Sequence, residues 1–183
     1  MKLISGIALA AMLGAAALAI AAPVKVDPAK SSVSATFKQM NVPVEAKFKK
    51  FSAQVDYDAA KPDAAKASVD IDTASLDLGD PDMNKEVTKK EWFNAAQFPK
   101  ASFVSSAIKG AGPGKLNVTG KLTIKGKSTD VSFPLTLKTE AGKQVFEGSL
   151  PIKRLSYNIG EGEWKDTSMV ADDVLIKFRV AAQ

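Results

Sequence analysis

The sequence predicts an all-β domain, an antiparallel sandwich or barrel carrying one short helix. Three observations lead there. Apolar and polar residues alternate with period two through segment after segment; Asn/Asp/Gly/Pro clusters separate the segments; and each segment keeps one clean polar face. In "KLTIKGKSTDVSFPLTLK", Leu122 and Ile124 alternate with Lys121, Thr123 and Lys125. After the break "GKSTD", Val131, Phe133, Leu135 and Leu137 alternate with Ser132, Pro134 and Thr136. That is the pattern of two antiparallel strands with one apolar face each.

The first residues stand apart from this pattern. "MKLISGIALAAMLGAAALAIAAPVKV" has Lys2, an uncharged run rich in Ala and Leu, and Ala19-Ile20-Ala21 at its end. A charged start, an apolar stretch and a small-residue cleavage pattern describe a secretory leader. The expected division is a leader over 1–21 and one domain over 22–183, exported to a bacterial periplasm. No Cys follows the apolar run, so a lipid anchor there is ruled out.

Strands then follow in order. "SVSATF" puts Val33, Ala35 and Phe37 on one face; "FSAQVDYD" does the same with Phe51, Ala53, Val55 and Tyr57. "ASVDID" offers Val69 and Ile71, with Asp70 and Asp72 opposite. "ASFVSSAIK", "KLNVTGKLTIK", "DVSFPLTLK" and "KQVFEGSLPIK" come next, and "DDVLIKFRV" closes the chain with Val174, Ile176, Phe178 and Val180. One segment breaks the rule. "LGDPDMNKEVTKKEWFNAAQFP" opens with Asp80-Pro81, an N-cap followed by Pro at the first helical position, and Met83, Val87 and Glu91 follow at helical spacing. The spacing predicts a helix ending near Asn94, with Trp92 and Phe93 at its end. No linker and no internal repeat interrupts the domain.

Composition narrows the chemistry. The chain has 183 residues, 45% of them hydrophobic, enough for a sizeable core without disulfides. It contains no Cys and no His. Ser-His-Asp and Cys-His nucleophilic systems are therefore impossible, as are His- or Cys-ligated metal sites. The net charge of +5 is mild, and no basic run interleaved with aromatics points to nucleic acid. Lys47, Lys49 and Lys50 read as a solvated outer face. Ser106 and Lys109 match S-x-x-K, but in a strand residues three apart face opposite sides. Asp77, Asp80 and Asp82 lack the pattern of a calcium loop and read as turn and cap residues. "NVT" at Asn117 lies mid-strand. Only carboxylate, Lys or Tyr chemistry is left, and no residue stands out for it.

Several motifs, in order, resemble the YceI-like family of lipocalin-like periplasmic, polyisoprenoid-binding proteins. "VDPAKSSVSATFKQM" is similar to its opening turn and first strand, "FKKFSAQVDYD" to its paired-Phe hairpin, and "ASVDIDTASLDLGD" to its strand and turn. "EWFNAAQFPKASF" resembles the helix end and following strand, and the hairpin quoted above the family's LT-x-x-G hairpin. "LSYNIGEGEW" with "VADDVLIKFRV" resembles the closing loop and strand. Where family members often carry His, this chain has Lys30, Gln39 and Lys125, so roles resting on those imidazoles do not transfer.

The resemblance implies an eight-stranded antiparallel lipocalin-like β-barrel around one elongated isoprenoid lipid, a polyprenyl phosphate or a quinone, held without covalent attachment and with no other cofactor. Eight strands leave an interior that side chains fill or that holds one ligand. The small residues Ala35, Ala53, Ser105 and Gly120 share the apolar parity and leave room unless bulky neighbours take it. The expected lining is Phe37, Val55, Val69, Ile71, Phe103, Leu122, Ile124, Phe133, Leu135, Phe146, Ile176 and Phe178. Trp92, Phe93 and Trp164, the last in the Gly-rich loop "GEGEWKDTS", are expected at the mouth. The alternative is a filled barrel acting as an interaction protein, partnering a membrane redox system. Transient contact with the inner membrane and pairing into a homodimer are further expectations; nucleic acid is not an expected partner.

Overall fold

A computed structural model describes residues 25–182; the expected leader lies outside them. Alternation produces strands throughout: β1 (Ser32–Gln39), β2 (Val42–Phe48), β3 (Phe51–Asp56), β4 (Lys66–Asp72), β5 (Leu76–Asp77), β6 (Lys100–Gly110), β7 (Lys115–Ile124), β8 (Lys127–Glu140), β9 (Lys143–Lys153) and β10 (Val170–Ala182). All pair antiparallel in one sheet ordered β3-β4-β6-β7-β8-β9-β10-β1-β2-β5.

Ten strands were not the expected eight, and the difference has a simple geometry. β2 runs into β3 through the bend Lys49-Lys50, and β4 runs into β5 through a 3-10 turn at Thr73–Ser75. Each pair is one long strand with a corner in it. Hydrogen bonds carry the ladder around that corner, from Lys49 N–H to Ser75 C=O at 3.0 Å and from Asp72 N–H to Lys50 C=O at 3.0 Å. The register slips by two residues there: Phe51 faces Ile71, but Phe48 faces Leu76. Counted as continuous strands the ten become eight, and the sheet closes on itself as a barrel. β2 is absent from the expected strands although Val44, Ala46 and Phe48 alternate with Glu45 and Lys47. Pro43 and the exposed Val42 obscure it.

Alternation sorts β7 most cleanly. Along β7, Leu116, Val118, Gly120, Leu122 and Ile124 are buried, while Lys115, Asn117, Thr119 and Lys121 are exposed. Cross-strand register keeps inward residues opposite one another, as with Val118 and Phe133, Phe103 and Leu122, and Ile176 and Leu150. The N-terminal end is tied to the last strand. Val26 bridges to Ala182, and Asp27, which caps the 3-10 turn Pro28–Lys30, pairs with Lys143 at 2.7 Å.

Two expectations need correction. The helix α1 covers only Pro81–Glu86; Asp80 caps it as expected, accepting from the N–H groups of Asp82 and Met83 at 2.9 Å. It stops because the chain folds back in tight turns: Thr88 Oγ1 donates to Lys85 C=O, and the Phe93 N–H reaches Val87 C=O. Trp92 and Phe93 therefore sit in turns. The hairpin after Ile124 is also tighter than "GKSTD". Lys125 and Gly126 alone make the turn, with φ of 48° and 73°, and Lys127–Asp130 continue in β8. The acidic residues have structural roles. Asp72 caps the corner turn, Asp70 lies 3.5 Å from Lys100 on the outside, and Asp77 accepts from Gly79 and Asn84.

Candidate ligand-binding lumen

Inward side chains do not fill the barrel. Two apolar chambers lie inside it, of about 110 Å3 and about 120 Å3. The first, at the end where Val26 bridges to Ala182, is lined among others by Val55, Tyr57, Ala65, Ile108, Phe146 and Val180. The second, at the opposite end, is lined among others by Phe37, Leu76, Trp92, Phe93, Ile159 and Val170. Val69, Ile71, Phe103, Leu122 and Ile176 line both and form a waist between them. The open wall of each chamber is hydrocarbon, although Tyr57 belongs to the first lining and Ser102, Trp92 and Arg154 to the second.

Phe103, at the waist, begins a row of three phenyl rings that continues into the first chamber. Phe103 and Phe178 flank Phe133, with centroids 5.5 Å and 5.4 Å from it. Glycine makes room for the outer two: a Cβ on Gly120 would lie 2.6 Å from the Phe103 ring, and one on Gly148 would strike Phe178. The space that Gly120 leaves is thus taken by Phe103.

The second chamber ends in a plug built from residues 87–98 and 154–170. Arg154 and Lys125 hold it together. Arg154 is 3% exposed and gives hydrogen bonds to five backbone carbonyls: Ala171 from Nε at 3.1 Å, Ile159 and Gly160 from Nη1 at 2.7 and 3.4 Å, and Trp164 and Val170 from Nη2 at 2.7 Å each. Burial lowers its pKa against the opposing pull of Asp172, but a guanidinium starts high enough to stay charged. Lys125 is 8% exposed and donates to Lys90 C=O at 2.7 Å, Asn158 C=O at 2.8 Å and Glu161 Oε2 at 2.9 Å. The ammonium beside it holds the Glu161 carboxyl below its ordinary range. Glu91 C=O accepts from both Gly160 and Glu161, stitching the two segments.

Of the residues expected to line a ligand site, Val55, Phe133, Leu135, Phe146 and Phe178 line the first chamber. Phe37, Trp92, Phe93 and Ile124 line the second, and Val69, Ile71, Phe103, Leu122 and Ile176 line both. Trp164 lines neither. It packs behind Trp92, with ring centroids 5.2 Å apart, and the Arg154 guanidinium lies 5.9 Å from the Trp92 centroid. Trp92 itself is buried and closes the end of the barrel instead of standing in an opening.

Arg154 and Lys125 are the residues that sequence reasoning misses. Alternation assigns Lys125 to the outer face, but its positive φ swings the side chain under the barrel end. Arg154 lies just past β9 in a 3-10 turn, where period two no longer applies.

With this geometry in view, the similarities are specific. The model of the YceI-like domain matches residues 24–182, nearly all of the described chain.

The chain belongs to the YceI-like family.

This YceI-like chain is 33% identical to a UPF0312 protein of Pseudomonas putida strain W619 over 150 residues, 80% of this chain and 78% of that one. A UPF0312 protein of Shewanella baltica is 34% identical over 78% of this chain and 75% of its own. Among solved structures, BcnA of Burkholderia cenocepacia superposes with a TM-score of 0.84 at 57% identity, covering 87% of this chain and all of its own. A domain from Saccharophagus degradans, described as polyisoprenoid binding and implicated in plant cell wall breakdown, shares the fold at TM-score 0.69 and 16% identity, over 86% of this chain and 96% of that domain.

Proposed function

We propose that this YceI-like protein is an exported, non-enzymatic carrier that holds an elongated isoprenoid lipid in its lumen. One observation carries the reading: two hydrocarbon-walled chambers lie end to end and share a waist. A branched chain laid through both would remove apolar area from water at about 25 cal/mol per Å2, enough gross affinity to exceed the cost of association. The barrel architecture is shared with the S. degradans domain described as polyisoprenoid binding, so the fold is compatible with such a ligand. The hydrocarbon surface open to each chamber suits the holding of an apolar chain. A filled-barrel interaction protein fits less well, because each chamber is several times the roughly 10–15 Å3 that one water needs. Loading from the inner membrane, service to a membrane redox protein and pairing of two barrels belong to the same proposal.

The test is mass spectrometry of an organic extract of the purified protein, followed by melting with added polyprenyl lipids. A co-purifying isoprenoid and a raised Tm are expected. If no lipid co-purifies and none raises Tm, the reading fails.

A further inference from the structure

We propose that the chamber at the plug end receives the polar terminus of the ligand, and that this terminus is a neutral acceptor oxygen held by the Trp92 indole N–H, not a phosphate. The inference rests on the carrier reading above and names the end-group chemistry it leaves open.

A phosphate carried into an apolar chamber needs donors and countercharge to replace its hydration. Of the two buried cations at this end, Arg154 belongs to the chamber lining and Lys125 lies behind it, and both are fully engaged. A guanidinium has five N–H donors, and those of Arg154 go to five backbone carbonyls. An ammonium has three, and those of Lys125 go to Lys90, Asn158 and Glu161. An incoming phosphate would have to take these donors from the backbone carbonyls they now hold, dismantling the plug.

One donor at this end is different. Trp92 Nε1 is buried and has no hydrogen-bond partner among the described residues. Its ring lines the chamber, with Trp164 on one side and Arg154 near its face. A buried indole N–H normally finds an acceptor, and leaving it without one is costly. The open wall of the chamber carries no polar surface, so a ligand oxygen reaches this N–H only by displacing that wall. A ketone, quinone carbonyl or alcohol oxygen supplies the missing acceptor without bringing a charge. A lipid phosphate would keep its head at the opposite end of the barrel or outside it.

The experiment compares four isoprenoids delivered from the same detergent micelles: phytane, geranylgeraniol, geranylgeranylacetone and geranylgeranyl monophosphate. Binding is read by Tm and by the indole N–H resonances of 15N-tryptophan-labelled protein, assigned with Trp164→Phe. The ketone and the alcohol should move the Trp92 N–H resonance downfield; phytane and the monophosphate should not. In Trp92→Phe the ratio of ketone to phytane affinity should fall about fivefold, the worth of one hydrogen bond, while phytane binding is kept. If that variant does not fold, the wild-type resonance alone decides. Should all four bind with the Trp92 resonance unmoved, the inference is overturned and the carrier reading stands. A monophosphate that shifts the resonance as the ketone does also overturns it. Failure of every probe to bind removes the carrier reading itself, and the inference with it.

Discussion

The ring of Phe103 lies against the backbone of Gly120, so close that a β-carbon there would stand 2.6 Å from two ring carbons and would also strike the carbonyl of Val104. Backbone and ring occupy the volume that an ordinary side chain would need, and the waist of the lumen depends on it. Gly120→Ala is therefore expected to destabilise the fold by about 1–3 kcal/mol through overpacking. In a Phe103→Leu background the penalty should shrink without vanishing, because the clash with the Val104 carbonyl remains. Urea denaturation of the two single variants and the double variant measures the coupling; full additivity would show that ring and glycine do not interact.

Phe103 also lines both chambers, so shortening it should join them. Phe103→Leu is expected to cost about 1–2 kcal/mol and to favour longer isoprenoids over short ones. Competition between geranylgeraniol and a longer polyprenol checks this. An unchanged length preference would mean that the waist does not limit occupancy.

The plug should loosen in acid. Lys125 lowers the pKa of Glu161 from an ordinary 4.5, and Lys49, with help from Asn84, lowers that of Asp77 from 3.8. Both carboxyls are depressed in the folded state, so the stability they contribute is fully present above their unfolded pKa values and is lost as pH falls through the folded ones. Tm should hold above about pH 5 and decline below it, less steeply in Glu161→Gln. Equal slopes in the two proteins would remove Glu161 from the account.

Lys125→Met tests the same clamp at neutral pH. It leaves two backbone carbonyls without their donor and Glu161 without its partner, and is expected to cost about 2–3 kcal/mol, the half-exposed carboxylate limiting the loss. A variant as stable as the parent would show that the ammonium is dispensable.

Export has a direct measurement. Intact mass of the protein from a periplasmic extract is expected to correspond to a start at Ala22. A mass that begins at Met1 would refute cleavage.

What the sequence discloses here follows the reach of a short-range rule. Period-two alternation puts Val118, Phe133 and Ile176 on the inward face, because strand geometry alone decides which way those side chains point; that Phe133 lies opposite Val118 is seen only in the structure. Asp80 before Pro81 locates the start of α1 for a similarly local reason. The end of that helix was not legible, since the turns after Glu86 are set by partners remote in sequence, such as Glu91 with Gly160. Lys125 and Arg154 were hidden on the same ground: each is buried by contacts across the barrel end, and a lysine at the end of an alternating run reads as solvated. The aromatic waist was visible as residues but not as a constriction, because that needs Gly120 and Gly148 to come to lie beneath rings from other strands.

The pairing of β1 with β10 sets Ser32 opposite Arg179, the two ends of the domain side by side. The ring cannot close until the last strand, 13 residues at the far end of the chain, is available. Contacts of such long sequence separation form slowly, because most of the chain's entropy must be surrendered before they can. A nascent chain lacking β10 therefore has no finished barrel to fall into while it is being synthesised. Folding is deferred to the complete polypeptide, a timing that would suit the export proposed above, in which the chain crosses a membrane before it acquires its shape.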